Sequence, residues 1–328
     1  MTVSLLVWVI TCAVILGLFV FDFYAHVRVP HEPTFRESAI WSSVYIGLAV
    51  VFGFVVWWLW GGQFAGEYFA GYVTEKALSV DNLFVFTVIM GTFAVPREFQ
   101  QKLLLIGIVL ALVMRAGFIA VGAAAINTFS WVFYLFGIFL VLTAIKLAKE
   151  AGHEKEVEEK RDSRIIALVR RFVPTTEDYD GDKFLSMLDG RRVVTPMLLA
   201  LIAIGFTDVL FALDSIPAIY GLTEQPYIVF TANAFALMGL RQLYFLIGGL
   251  LDRLIYLSYG LSLILAFIGV KLVLHALHEN SLPFINGGQH VAVPEISTGM
   301  SIGVIGVVLL VTTVASLVKT RGQKPAEI

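Results

Sequence analysis

The chain has 328 residues, of which 58% are hydrophobic and 15% charged, with a formal net charge of −2. A mean hydropathy of +0.85 excludes an ordinary soluble surface, and the near-neutral charge offers no basic footprint for nucleic acid. The composition is that of a polytopic membrane protein whose first partner is the lipid bilayer.

Apolar runs long enough to cross a hydrocarbon core of roughly 30 Å recur at 4–24, 40–60, 67–94, 103–125, 131–149, 195–219, 227–250, 254–277 and 299–318. They predict an all-α helical bundle of about nine transmembrane helices. The first run follows MTVS, which lacks Lys and Arg, and leads into Asp22 without a small-residue cleavage site, so it reads as a retained helix. It carries Cys12, the one cysteine, which leaves no disulfide framework and no thiolate cluster for soft metals. Trp57, Trp58 and Trp60 at the end of the second run suit an interfacial belt. The following GGQFAG lacks the Lys and Ser or Thr of a phosphate-binding loop.

The third run contains EKALSVDNLFVFTVIMG, residues 75–91, which begins like a soluble active site and ends like a membrane span. The fourth contains Arg115 and the fifth closes on Lys146. Residues 150–194 form the one long polar stretch and read as a cytoplasmic linker, with IIALVRRF suited to a surface-lying helix. The sixth run carries DVLFALDSIPA, the seventh Arg241 and the eighth Lys271, with His275, His278 and Glu279 near its end as interfacial polar residues. Lys and Arg gather in alternate loops: Arg28 and Arg36, Arg97 and Lys102, Lys155 to Arg192, Arg253, and Lys319 to Lys324. Such an asymmetry predicts a multi-pass membrane protein with the N-terminus outside and the C-terminus cytoplasmic.

An internal repeat emerges when EKALSVDN is laid over DVLFALDS. Glu75 matches Asp208, Asp81 matches Asp214, and Asn82 matches Ser215. The next helix in each half has one arginine, Arg115 or Arg241, and the third has an aromatic-Gly start and a terminal lysine, at Gly137 and Lys146 or Gly260 and Lys271. With the predicted topology the two triplets are inverted, a plan that secondary transporters use with substrate bound at the repeat interface. The expected divisions are an N-terminal two-helix region at 1–63, a first repeat at 64–149, the linker at 150–194, a second repeat at 195–277 and a C-terminal helix and tail at 278–328.

A charge at the bilayer centre costs about 2.5 to 3.5 kcal/mol on insertion scales, so Glu75, Asp81, Asp208, Asp214, Arg115 and Arg241 are expected to converge on one shared cavity. Helical spacing puts Glu75, Ser79 and Asn82 on one face, with Asp81 turned sideways. Pro217 would release the Leu213 carbonyl beside Asp214. The oxygen inventory of carboxylates, Asn82, Ser215, Thr207 and a freed carbonyl suits a hard divalent cation such as Mn²⁺, Mg²⁺ or Ca²⁺. Glu67 sits at the mouth of the third run as a possible entry residue. The competing reading is a structural ion-pair network between Asp81 or Asp214 and the two arginines.

The segments EYFAGYVTEKALSVDNLFVF, TPMLLALIAIGFTDVLFALDSIPAIYGL and ILAFIGVKLVLHAL resemble those of the TerC family of bacterial integral membrane proteins, with its pH-responsive Alx branch. The resemblance covers about 64–277 and implies the LysE transporter superfamily, manganese export and an older association with tellurite resistance. It also implies that Glu75, Asp81, Asn82, Asp208, Asp214 and Ser215 carry the ion. The sequence reading is therefore not an enzyme but a secondary exporter of a divalent cation, most simply Mn²⁺ as transported substrate in exchange for protons, with no organic cofactor. Arg115 and Arg241 would act as charge partners that compete for the acids. The alternative is a pH- or stress-responsive membrane scaffold or sensor linked to tellurite resistance.

Overall fold

The computed structural model describes residues 1–28, 31–129, 131–151, 179–188, 191–251, 254–280, 282–283 and 285–320. The surface-lying helix expected at IIALVRRF lies outside the described residues. Helix α1, Leu5–Asp22, is started by the Ser4 hydroxyl, which accepts the Val7 N–H, and passes into a π-helical turn, Phe23–Val27. Helix α2, Phe35–Trp60, begins the same way at Thr34, which accepts the Glu37 N–H. Then follow α3, Gly62–Thr92, α4, Arg97–Thr128, and α5, Val132–Glu150.

An antiparallel hairpin of β1, Leu185–Leu188, and β2, Arg191–Val194, precedes α6, Pro196–Tyr220. The rest is α7, Pro226–Leu237, α8, Leu240–Leu251, α9, Leu257–His278, and α10, Thr298–Lys319.

Among the described residues, eight helical segments are long and apolar enough to cross a membrane. The ninth expected span, α3, is 31 residues long and is not among those eight; it carries Glu67, Glu75, Lys76 and Asp81. Helices α1 and α10 turn Leu5, Val14, Val311 and Val318 outward, as lipid-facing helices do, while the run from α7 into α8 is the most enclosed.

Two expectations change. The seventh span was read as one helix, but it breaks between α7 and α8, where Met238 is extended and Gly239 has a left-handed φ of 77°; an isolated glycine permits that turn. The hairpin was not expected either, although LSMLDGRRVV, with Asp-Gly between two short runs, carries a hairpin signal. Helix α6 continues through Pro217 to Tyr220.

Helices α3 and α6 run antiparallel. Near the end of α3, Tyr179 donates to the Phe93 carbonyl at 2.8 Å, and Lys102 pairs with Asp182 at 2.6 Å on the segment leading to Thr195 at the head of α6. Near the start of α3, Thr223 just beyond α6 donates to Glu67 at 2.6 Å. Helices α5 and α9 meet glycine to glycine. A Cβ on Gly137 would lie 2.7 Å from the Gly269 carbonyl oxygen, and one on Gly269 would lie 2.8 Å from that of Gly137. Gly260, matched to Gly137 in the sequence, packs instead against Thr312 of α10.

Candidate functional site

Arg115 of α4 is fully buried, and the helices around it supply its partners. Its Nε and Nη2 donate to the two carboxylate oxygens of Asp208 on α6, at 3.1 and 3.0 Å. Its Nη1 donates to Glu75 Oε1 on α3, to Asn233 Oδ1 on α7 at 2.8 Å and to Ser215 Oγ on α6 at 3.2 Å. Five oxygen atoms from three helices therefore converge on one guanidinium. The planar fork of arginine matches the paired contact with Asp208, and burial makes each contact costly to lose.

Helical spacing explains which side chains arrive. Glu75, Ser79 and Asn82 lie on one face of α3 and all three are buried. Asp208 and Ser215, seven apart on α6, both reach Arg115. Around this cluster Glu75 Oε2, Ser79 Oγ, Thr207 Oγ1 and Asn233 Nδ2 are buried without a hydrogen-bond partner among the described residues.

Expected convergence of six charged groups on one cavity is corrected. Asp81 lies beside Ser258 of α9 at 3.4 Å, and Asp214 accepts from Thr143 of α5 at 3.0 Å. Asp81 lies six residues, about 9 Å of helix rise, beyond Glu75; Asp214 stands between Asp208 and Ser215 on α6, turned aside to Thr143 of α5 instead of toward Arg115. The ion pairs form between other residues than the sequence suggested, because the acids on the buried face of each helix, and not those turned sideways, reach Arg115. Among the described residues, no group of three or more His, Cys, Asp or Glu side chains is arranged to hold a metal ion; two carboxylates and neutral oxygens meet at Arg115.

Arg241 is placed elsewhere. Its Nη2 donates to Asp22 Oδ1 at 2.8 Å and its Nη1 donates to Gln101 of α4. Tyr45 and Gln242 also donate to Asp22, at 2.8 and 3.0 Å, and His26 Nδ1 lies 3.2 Å away. Asp22 and Asn233 are the site residues that the sequence reading missed. An acid ending an apolar run was a visible signal for Asp22; nothing local distinguishes Asn233, which the fold alone brings to Arg115.

Glu67 is buried near the start of α3, where it accepts from Thr223 at 2.6 Å and from Gln63 at 3.2 Å. It lines a cavity of about 360 Å³ with Glu224, Lys271 and His275. Glu224 pairs with His275 at 3.1 Å, and this hydrogen bond holds the Glu224 carboxyl below the ordinary carboxylate range.

Comparison with known proteins gives the family. The sequence pattern described as the integral membrane protein TerC family matches residues 60–324, which include every member of the Arg115 cluster. The chain belongs to the TerC family. Among its relatives, an uncharacterised membrane protein of Mycobacterium tuberculosis is 54% identical over 98% of this chain and 82% of its own length. An uncharacterised membrane protein of Myxococcus xanthus is 38% identical over 96% of this chain and 92% of its own. The putative membrane-bound redox modulator Alx of Escherichia coli is 37% identical over 75% of this chain and 78% of its own. No solved structure matches this TerC family chain.

Proposed function

We propose that this TerC family protein is a secondary transporter that exports a hard divalent cation, with Mn²⁺ as its main substrate, in exchange for protons. The observation that carries the reading is the set of five oxygens on Arg115, from Glu75, Asp208, Ser215 and Asn233. All-oxygen ligation with two carboxylates is the chemistry of a hard cation, and here a guanidinium occupies the cation's place. Two carboxylates against one arginine leave the cluster short of positive charge when both are ionised. If Arg115 swings out, two bare carboxylates repel, so the site takes up a cation or protons; return of Arg115 expels them.

Glu75 Oε2, buried without a partner among the described residues, is a further oxygen at the same site. Asp81 and Asp214, turned aside from Arg115, serve as approach positions, and the Glu67 cavity serves as the outer mouth. Triplets 64–149 and 195–277 act as inverted repeats that rock about the site, with the N-terminus outside and the C-terminus in the bacterial cytoplasm.

The decisive experiment is Mn²⁺ flux in proteoliposomes under an imposed pH gradient, comparing wild type with Glu75→Gln and Asp208→Asn. Flux in the wild type and none in either variant is expected; folded, reconstituted wild type that moves no Mn²⁺ would refute the reading. A thiol-based form of the redox role in the name of the Escherichia coli relative would act here through Cys12, the one cysteine, on the exposed side of α1. Cys12→Ala with full flux separates transport from thiol chemistry.

A further inference from the structure

Lys76 follows Glu75 on α3, and the transport cycle above does not use it. Its ammonium donates to the carbonyl oxygens of Ala236 at 2.9 Å and Met238 at 3.2 Å. Both carbonyls belong to the end of α7, where the chain breaks before α8. A helix that stops inside a membrane leaves its last carbonyls without intrahelical partners and its negative dipole end uncompensated, with no water to satisfy either. A cation with three donors answers both needs.

The far side of the break is held by different groups. Gly239, with φ 77°, packs so closely on Tyr45 that an added Cβ would lie 3.0 Å from the Tyr45 Cβ. Arg241 and Gln242, just beyond it, are pinned to Asp22. On the near side, Asn233 lies three residues before Ala236 and gives its Oδ1 to Arg115. Neighbouring residues on α3 point about 100° apart, so this helix grips two things at once: Glu75 turns to Arg115 and Lys76 to the end of α7.

We propose that Lys76 is a positioning residue: by fastening the broken end of α7 to α3, it sets where Asn233 stands relative to Glu75 and Asp208, and so the size of the oxygen cage. This role rests on the transport reading for its functional consequence, while the tether itself is a matter of structure. Loosening the tether spreads the ligands without removing any of them, which weakens affinity more than turnover.

The test uses the full chain in proteoliposomes with Lys76→Met, Lys76→Gln and Lys76→Arg. Initial Mn²⁺ rates against concentration are expected to show KM raised at least about fivefold in Lys76→Met, with maximal rate within about twofold, and KM returned toward wild type in Lys76→Arg, which keeps the cation and its donors. Hydrogen exchange of the amides in 234–245 reads the tether without transport. It is expected to be at least about tenfold faster in Lys76→Met, with α6 unchanged. Lys76→Gln gives the same comparison if Lys76→Met does not fold. Unchanged exchange overturns the proposal, as does a loss of maximal rate with unchanged KM. If wild type carries no Mn²⁺, the transport reading fails while faster exchange still upholds the tether.

Discussion

Arg115 and Arg241 are both almost fully buried, and each comes from the second expected span of its triplet, but their partners differ in kind. Arg115 meets two carboxylates, Glu75 and Asp208, one from each half of the chain. Arg241 meets one carboxylate, Asp22, which also accepts from the neutral Tyr45 and Gln242. A single acid facing a single base, with neutral groups around them, is balanced and has no reason to exchange its cation. Two acids facing one base are not balanced, and the surplus is what a transported ion or a proton can answer. Arginines matched in the sequence thus take different partners, and in the proposed transport cycle Arg241 is the anchor and Arg115 the exchangeable plug.

The contrast can be broken most directly by removing each arginine. Arg115→Met leaves two buried carboxylates facing each other and is expected to cost about 3 to 5 kcal/mol, read as a fall in thermal stability in lipid nanodiscs, and to abolish Mn²⁺ flux. Arg241→Met leaves Asp22 with its Tyr45 and Gln242 donors, so a smaller loss of about 2 to 3 kcal/mol is expected, with KM for Mn²⁺ unchanged. Equal stability losses and equal loss of flux in the two variants would end the distinction.

Smaller perturbations sharpen it. Gly137→Ala inserts a methyl group where the Gly269 backbone already stands, and overpacking is expected to cost about 1 to 3 kcal/mol. Melting should show this, and the effect on flux should be through abundance alone. Thr223→Val removes a hydroxyl that donates to the buried Glu67 and is expected to cost about 1 to 2 kcal/mol, with KM rising if Glu67 lines the mouth.

Acid should have the least effect. Since the hydrogen bond with His275 depresses the Glu224 value, its contribution is present at neutral pH and is lost as pH falls from the ordinary carboxylate range through the lowered folded-state value. Glu224 is half exposed, so screening keeps this below about 1 kcal/mol. Hydrogen-exchange protection in 221–225, corrected for the intrinsic pH dependence of amide exchange, should fall on acidification, and the fall should vanish in His275→Ala.

Much of this was legible in the chain. Long apolar runs mark most of the helices, because lipid leaves a spanning backbone little choice but to bond within itself. Helical spacing picked out Glu75, Ser79 and Asn82 as a buried face, and rarity of charge in such segments pointed to Arg115 and Asp208. The same local signals placed Arg241, Asp81 and Asp214 beside them, because a residue's neighbours along the helix do not say which other helix it meets. The break at Gly239 was hidden as well: one glycine in an apolar run is compatible with a continuous span, and the bond that Lys76 makes to the broken end, at Ala236, spans 160 residues of sequence.

Sequence alone therefore determined the membrane class, the helices and which charges had to be enclosed, since these follow from transfer costs and a period of 3.6 residues per turn. Tertiary structure decided the pairings: Asn233 and Ser215 with Arg115, Asp22 with Arg241, Lys76 with the end of α7. Each joins residues distant in the chain, and the free energy of an ion pair or a cap depends on angstrom-scale approach between helices, which no local pattern records.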